Sequence, residues 1–85
     1  MKLREIKQIN QRRLELNSLG YISKSNLKEY LGCGSRMAER AWQEITMQIL
    51  KEGKTVSPFG LDPKRVMNYL NLTEAQIEKY ASKGM

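Results

Sequence analysis

Two arginines and one glutamine share a face of a predicted helix, and their side chains can hydrogen-bond to the edges of nucleic-acid bases. Arg36, Arg40 and Gln43 have the i, i+4 and i+7 spacing of one helical face. An arginine guanidinium forks onto guanine O6 and N7, and a glutamine amide pairs with the adenine edge. Ser35 and Glu39 lie beside them near the start of the helix. We therefore expect these five residues to form a base-reading face. The alternative is an ordinary solvated face, because Arg and Gln are also good helix formers.

Two predicted helices and a tight glycine turn position this face. In the first of them, Ser23 is the expected N-cap, and Ile22 can pack against Leu27 as a hydrophobic staple. The turn is Gly32-Cys33-Gly34, because glycine reaches the positive φ of a sharp reversal. The second helix starts at Gly34 or Ser35 and runs to about residue 52. Its core stripe comprises Ala38, Ala41, Trp42, Ile45 and Ile49, and we expect Trp42 to anchor the core.

Further elements flank this helix pair. Residues 2–19 predict a first helix whose apolar residues spread over a wide arc, so we expect it to contact two surfaces, its own domain and a partner chain. Residues 54–61 mix β-branched residues with turn formers, which fits either a small wing or a connecting loop. Asp62 and Pro63 predict a helix start, Asn71 its end, and Thr73 the cap of a last helix. We expect one domain over residues 1–85, with the helix pair at 21–53 and the C-terminal helices at 62–85.

Several basic and hydroxyl side chains are candidates for contacts with the phosphate backbone. A helix that crosses the backbone would bring its first turn to the phosphates, and a wing would grip an adjacent groove. The alternative for each is a solvated surface. The candidates for backbone contact are Lys24, Ser25, Lys28, Arg12 and Arg13, the last two in the electropositive segment that opens the chain, and the wing candidates are Lys54, Thr55, Lys64 and Arg65.

Composition restricts the chemistry. The formal net charge is +6, a balance that attracts polyanions and makes binding to them salt-sensitive. There is one cysteine, Cys33, and no histidine, so a single chain can build neither a disulfide nor a Cys/His zinc site. No Ser or Cys has an activating partner in the sequence pattern, and we expect a non-enzyme without cofactor or metal. No apolar run approaches the ~20 residues of a membrane span, so we expect a cytoplasmic protein that does not enter the membrane.

The sequence also resembles a known family. The segment from Tyr21 to Leu27, the Leu31-Gly32 pair, Ala38, Arg40 and a Lys-Glu-Gly before a short loop are similar to the small excisionase-type helix-turn-helix proteins of Gram-positive phages and integrative elements. The resemblance covers roughly residues 21 to 70. It implies a mostly α fold with a helix-turn-helix that is sometimes winged, as in MerR- and excisionase-like proteins. The N-terminal and C-terminal helices expected in this sequence extend beyond that module.

The same resemblance implies a function. Members bind double-stranded DNA without catalysis, either as recombination directionality factors that help an integrase or as transcription regulators of a phage or mobile genetic element. Arg36 and Arg40 would face the groove, and residues 54–61 would be the wing. This sequence departs from the pattern at Gly34, where a capping Ser or Thr is common, at Glu39 on the reading face, and in its terminal extensions. These departures leave room for a changed role.

A protein-interaction module is the alternative function. The second helix of the pair is neutral overall, because three basic residues are matched by Glu39, Glu44 and Glu52. Together with the wide apolar arc of the first helix, this neutrality fits a scaffold that binds and modulates a host or phage protein. A homodimer formed through the first helix is compatible with both functions.

Overall fold

The fold is mostly helical, as the sequence predicts. The computed structural model describes the backbone of residues 3–82 and the side chains of residues 5–82. In that range five helices follow one another: α1 (Leu3–Ser18), α2 (Lys24–Leu31), α3 (Ser35–Lys51), α4 (Pro63–Leu70) and α5 (Glu74–Ser82). None of these described helices is both long and apolar enough to cross a lipid bilayer.

Local capping signals set the helix ends. The Ser23 hydroxyl accepts a hydrogen bond from the Asn26 amide at 3.2 Å and starts α2. Thr73 and Gln76 form the predicted capping box, with reciprocal hydrogen bonds of 3.0 and 3.2 Å. Asp62 caps α4, whose first residue is a proline. The structure confirms these predictions. They could be made from the sequence because each cap depends on residues within one helical turn.

The turn between α2 and α3 is as short as the glycines predict. Gly32 takes a left-handed conformation with φ 66°, and its amide donates to the carbonyls of the last turn of α2. Gly34 then serves as the N-cap of α3. Beyond the turn, Ala38 is buried where α3 packs against its neighbours, so a larger side chain there would separate packed elements.

The prediction that Trp42 anchors the core is wrong. Trp42 is only partly buried and packs against the margin of the core, whereas Tyr30 of α2 is the largest fully buried side chain. The small Ala41 occupies the buried position beside Trp42 on α3. Tyr30 can be buried because its hydroxyl donates a 2.9 Å hydrogen bond to Asn17 Oδ1 on α1. The buried core comprises Leu16, Ile22, Leu27, Tyr30, Ala41, Ile45, Ile49, Leu61, Val66 and Ile77.

Helix α1 contacts two elements of its own chain, which accounts for its wide apolar arc. It packs against α5 along most of its contact surface and against α2 on another side. Leu16 of α1 and Ile77 of α5 are both fully buried. The N-terminal helix α1 and the C-terminal helix α5 therefore pack against each other, and α1 also packs against α2.

Residues 54–61 form a connecting loop, without the hairpin that a wing requires. Within the described residues, the β pairing of this segment is one antiparallel bridge between Leu61 and Ile22, with hydrogen bonds of 2.7 and 2.8 Å. Ser57 and Gly60 close a turn at 3.3 Å. Leu61 pairs with the residue that precedes the α2 cap, so the loop is attached to the start of α2 instead of folding on itself.

Candidate nucleic-acid interface

The outward face of α3 carries the predicted base-reading residues. Ala38, Ala41 and Ile45 are buried on one side of α3, and Arg36, Arg40 and Gln43 lie exposed on the other side. The Arg40 side chain is 78% exposed. All three side chains are exposed, so no other described segment covers this surface.

An open groove lies between the amino-terminal ends of α2 and α3. Its volume is about 600 Å³. The structure thereby brings the three α2 candidates for phosphate contact together with two residues of the predicted reading face. The lining residues are Ser23, Lys24, Ser25, Lys28, Ser35, Ala38 and Glu39.

An ion pair crosses this groove. Lys24 Nζ lies 2.8 Å from Glu39 Oε2 and 2.9 Å from Glu39 Oε1. Both side chains are about half exposed, so the pair adds little to stability. It does reduce the charge that Lys24 can offer to an anion. Lys28 and Arg36 form no ion pair with a carboxylate of the described residues, so they are the cations most available to an anion near the groove.

Three residues form a hydrogen-bond network beside the predicted reading face, and the sequence analysis does not predict this network. Arg40 Nε donates to Glu44 Oε1 at 3.3 Å, and the Tyr69 hydroxyl of α4 donates to Glu44 Oε2 at 2.8 Å. These bonds, first from Tyr69 and then from Arg40, lower the pKa of the Glu44 carboxyl. The i, i+4 spacing of Arg40 and Glu44 is visible in the sequence. The contribution of Tyr69 is not, because it lies 25 positions away.

Arg12 and Arg13 lie at the seam between α1 and α2, outside the α2–α3 groove. Arg12 forms ion pairs with Glu29 at 2.7 Å and Glu15 at 2.8 Å. Arg13 donates to the Tyr30 carbonyl at 2.7 Å, and its guanidinium carbon lies 5.6 Å from the centre of the Tyr30 ring. Burial lowers the pKa of Arg13. Arg13 therefore has a structural role at the carboxyl end of α2, a contact that charge counting along the sequence does not reveal.

The four wing candidates are dispersed around the connecting loop. Arg65 donates two hydrogen bonds of 2.7 and 2.8 Å to the Glu52 carboxylate. Lys54 approaches the same carboxylate at 3.6 Å, while Thr55 and Lys64 are exposed. The Arg65 hydrogen bonds lower the pKa of Glu52 to about 2. Arg65 thus ties α4 to the end of α3 and offers little free charge.

An exposed aromatic pair lies beside the start of α2. The rings of Tyr21 and Phe59 are 5.9 Å apart and tilted by 40°, and Phe59 is 73% exposed. The Ile22–Leu61 bridge and the close approach of Gly60 to the Ile22 carbonyl hold the two loops together. The sequence gives no signal for this pair, because the two rings are adjacent only after the bridge has formed.

In comparisons with known proteins, no family model, no curated protein and no solved structure matches the chain. Among the described residues, no cluster of His, Cys, Asp and Glu side chains could hold a metal ion. The exposed α3 face and the α2–α3 groove therefore carry the functional proposal.

Proposed function

We propose that this chain is a non-catalytic, double-stranded-DNA-binding protein of a phage or mobile genetic element. It acts in the cytoplasm as an excisionase-like recombination directionality factor or a transcription regulator, with α2 and α3 as its helix-turn-helix. One observation carries the proposal: Arg36, Arg40 and Gln43 are exposed together on the side of α3 opposite the core. The resemblance of residues 21–70 to excisionase-type proteins supports the assignment to a phage or mobile element.

The dimensions of α3 suit the DNA major groove. An α-helix with its side chains is about 10–12 Å across, and the major groove is about 12 Å wide. The segment from Arg36 to Gln43 rises about 10 Å along the helix axis, which corresponds to roughly three base pairs of duplex. In this arrangement Arg36 and Arg40 bind guanine edges and Gln43 an adenine edge.

The amino-terminal end of α2 supplies the backbone contacts. Lys24, Ser25 and Lys28 surround a helix terminus whose free amides and dipole favour an anion. A phosphate in the α2–α3 groove would compete with Glu39 for Lys24. Glu39 then becomes available to accept a hydrogen bond from cytosine N4, the base contact that a carboxylate favours.

Selection of a binding site from a random duplex pool tests this proposal. We expect Arg36→Ala and Arg40→Ala each to weaken binding to the selected site by ~1–3 kcal/mol and to leave binding to unrelated duplexes nearly unchanged. Lys79→Ala, which removes one positive charge from the exposed surface of α5, is the control and should leave discrimination intact. An equal loss on every duplex would make the arginines phosphate contacts. Failure to enrich any site would contradict sequence-specific recognition.

A second candidate function is a protein-interaction module that binds an integrase or another phage or host protein. The exposed Tyr21–Phe59 pair favours it, because exposed aromatic side chains held in a fixed arrangement are common in protein interfaces. The discriminating variant is Phe59→Ser. A protein that wild type retains from a nuclease-treated lysate, and that Phe59→Ser loses while keeping DNA affinity, would establish this function. Loss of DNA affinity in Phe59→Ser would instead assign the pair to the DNA interface.

A further inference from the structure

The outward face of α3 changes character along its length. Its first half presents Arg36 and Arg40 beside one exposed methionine, Met37, whereas its second half exposes Met47 and Leu50, which are 57% and 60% exposed. Tyr69 of α4, 43% exposed, lines the same groove as Met47. Large apolar side chains that lie together on an exposed surface mark a contact surface.

Two opposite charges flank this apolar surface. An open groove of about 500 Å³ lies there, and its lining residues are Glu44, Met47, Gln48, Lys51 and Tyr69. Glu44 is three positions before Met47, and Lys51 is three positions after Gln48. Glu44 and Lys51 are therefore equally far from the midpoint between residues 47 and 48. When two copies of α3 pack antiparallel about this midpoint, each glutamate lies opposite a lysine.

We propose that a second copy of this chain docks on the carboxyl-terminal half of α3, with the two α3 helices antiparallel. A two-fold axis between residues 47 and 48 places Glu44 opposite Lys51 of the second copy, and Lys51 opposite its Glu44. Met47 then packs against Met47 and Gln48 of the second copy. Such an interface is isologous, because each contact occurs twice by symmetry. The charge complementarity favours a second copy over an unrelated protein, which would have no reason to match this pattern.

The existing bonds of Glu44 are compatible with the additional ion pair. Its two oxygens accept from Arg40 and Tyr69, and a carboxylate has lone pairs for further donors. Lys51, by contrast, forms no ion pair with a carboxylate of the described residues. The dimer therefore supplies a partner for a lysine that the described part of the chain leaves unmatched.

In this dimer the second copy's α3 packs on the carboxyl-terminal half of α3 alone. Helix α3 ends at Lys51, so the second copy's helix ends opposite Glu44 and does not reach Arg36. The proposed contacts involve no nucleic acid, so association can be tested without DNA.

Light scattering coupled to size-exclusion chromatography, and sedimentation equilibrium over a concentration series, measure the association. We expect twice the 9.9 kDa chain mass for wild type. Met47→Asp should raise the dimer dissociation constant by at least roughly thirtyfold, as expected for a central interface residue. Met37→Asp is the matched control, because Met37 is a 66% exposed methionine of the same helix outside the proposed interface. A wild type that stays monomeric at every concentration, or an equal effect of both variants, would overturn the proposal.

A charge-reversal pair tests the symmetry directly. In Glu44→Lys the proposed contact brings two lysines together, and in Lys51→Glu it brings two glutamates together, so each variant alone should be monomeric. An equimolar mixture should restore the dimer mass, since the two chains together reconstitute both ion pairs. Helical circular dichroism of each variant shows that the chain has folded. Homodimers of either variant, or a mixture of folded chains that remains monomeric, would refute the antiparallel arrangement.

Discussion

Gly60 controls the attachment of the connecting loop to the start of α2. Its φ is +136°, which L side chains rarely adopt, and a Cβ built at this position would contact the backbone of Ile22 and lie 3.0 Å from the Ser23 amide nitrogen. The obstacle is backbone, which cannot rotate away as a flexible side chain can. Gly60→Ala should therefore force the Ile22–Leu61 bridge apart.

The expected loss of stability in Gly60→Ala follows from the hydrogen bonds that break and the backbone strain that is added. The bridge contains two hydrogen bonds of 2.7 and 2.8 Å between residues at most 1% exposed, and each buried pair contributes about 0.5–1.5 kcal/mol. Backbone strain at the positive φ adds about 1–3 kcal/mol. We expect the free energy of unfolding to fall by roughly 3–5 kcal/mol, a large part of the roughly 4–13 kcal/mol expected for a chain of this length.

Urea denaturation followed by circular dichroism measures this loss. Gly20→Ala is the matched control, because Gly20 also has a positive φ of +87° but has no neighbouring atom within 4 Å of the added Cβ. It should cost only about 1–2 kcal/mol, the strain of the left-handed conformation. If Gly60→Ala costs no more than Gly20→Ala, the close approach to Ile22 does not constrain the loop and the reasoning is refuted.

Three further substitutions test individual interactions. Tyr30→Phe leaves the Asn17 side-chain oxygen without its 2.9 Å hydroxyl donor and should lower the free energy of unfolding by about 1–2 kcal/mol in urea denaturation; a neutral result would show that water replaces the hydroxyl. The pKa of Glu52 is about 2 in the folded chain, below its ordinary value of 4.5. Its carboxylate therefore stabilises the fold fully above pH 4.5, and this contribution is lost as the pH falls towards 2. The melting temperature of Glu52→Gln should accordingly lie below that of wild type at pH 7 and converge with it near pH 2; a difference independent of pH would exclude the Arg65 ion pair as its cause. Glu39→Gln removes a carboxylate from the reading face and should tighten binding to non-specific duplex about three- to tenfold at low salt; unchanged affinity would place Glu39 away from the DNA.

The helices could be predicted because their boundaries depend on local chemistry. Ser23 at the start of α2, Pro63 at the start of α4 and the Thr73–Gln76 box each act within one helical turn. The outward position of Arg36 follows from the period of the α3 core stripe. Sequence alone is sufficient where the determining residues are neighbours.

The features that the sequence does not predict depend on contacts between residues far apart in the chain. Tyr30 takes the central position expected of Trp42 because α1 supplies a hydrogen-bond acceptor for its hydroxyl, and periodicity cannot reveal that acceptor. The structural role of Arg13 depends on the Tyr30 carbonyl 17 positions away. Residues 54–61 remain a loop because Leu61 pairs with a residue nearly forty positions earlier. Each of these outcomes is decided by packing between elements.

The salt dependence of binding to an unselected DNA duplex tests the central claim most directly. Lys24 and Lys28 line the α2–α3 groove, and neutralising about two phosphates gives a slope of roughly −2 in log affinity against log salt concentration. The slope should become less negative by about one in Lys28→Ala and stay unchanged in Lys79→Ala. No binding at low salt, or an affinity indifferent to salt, would contradict the proposal that this chain binds DNA.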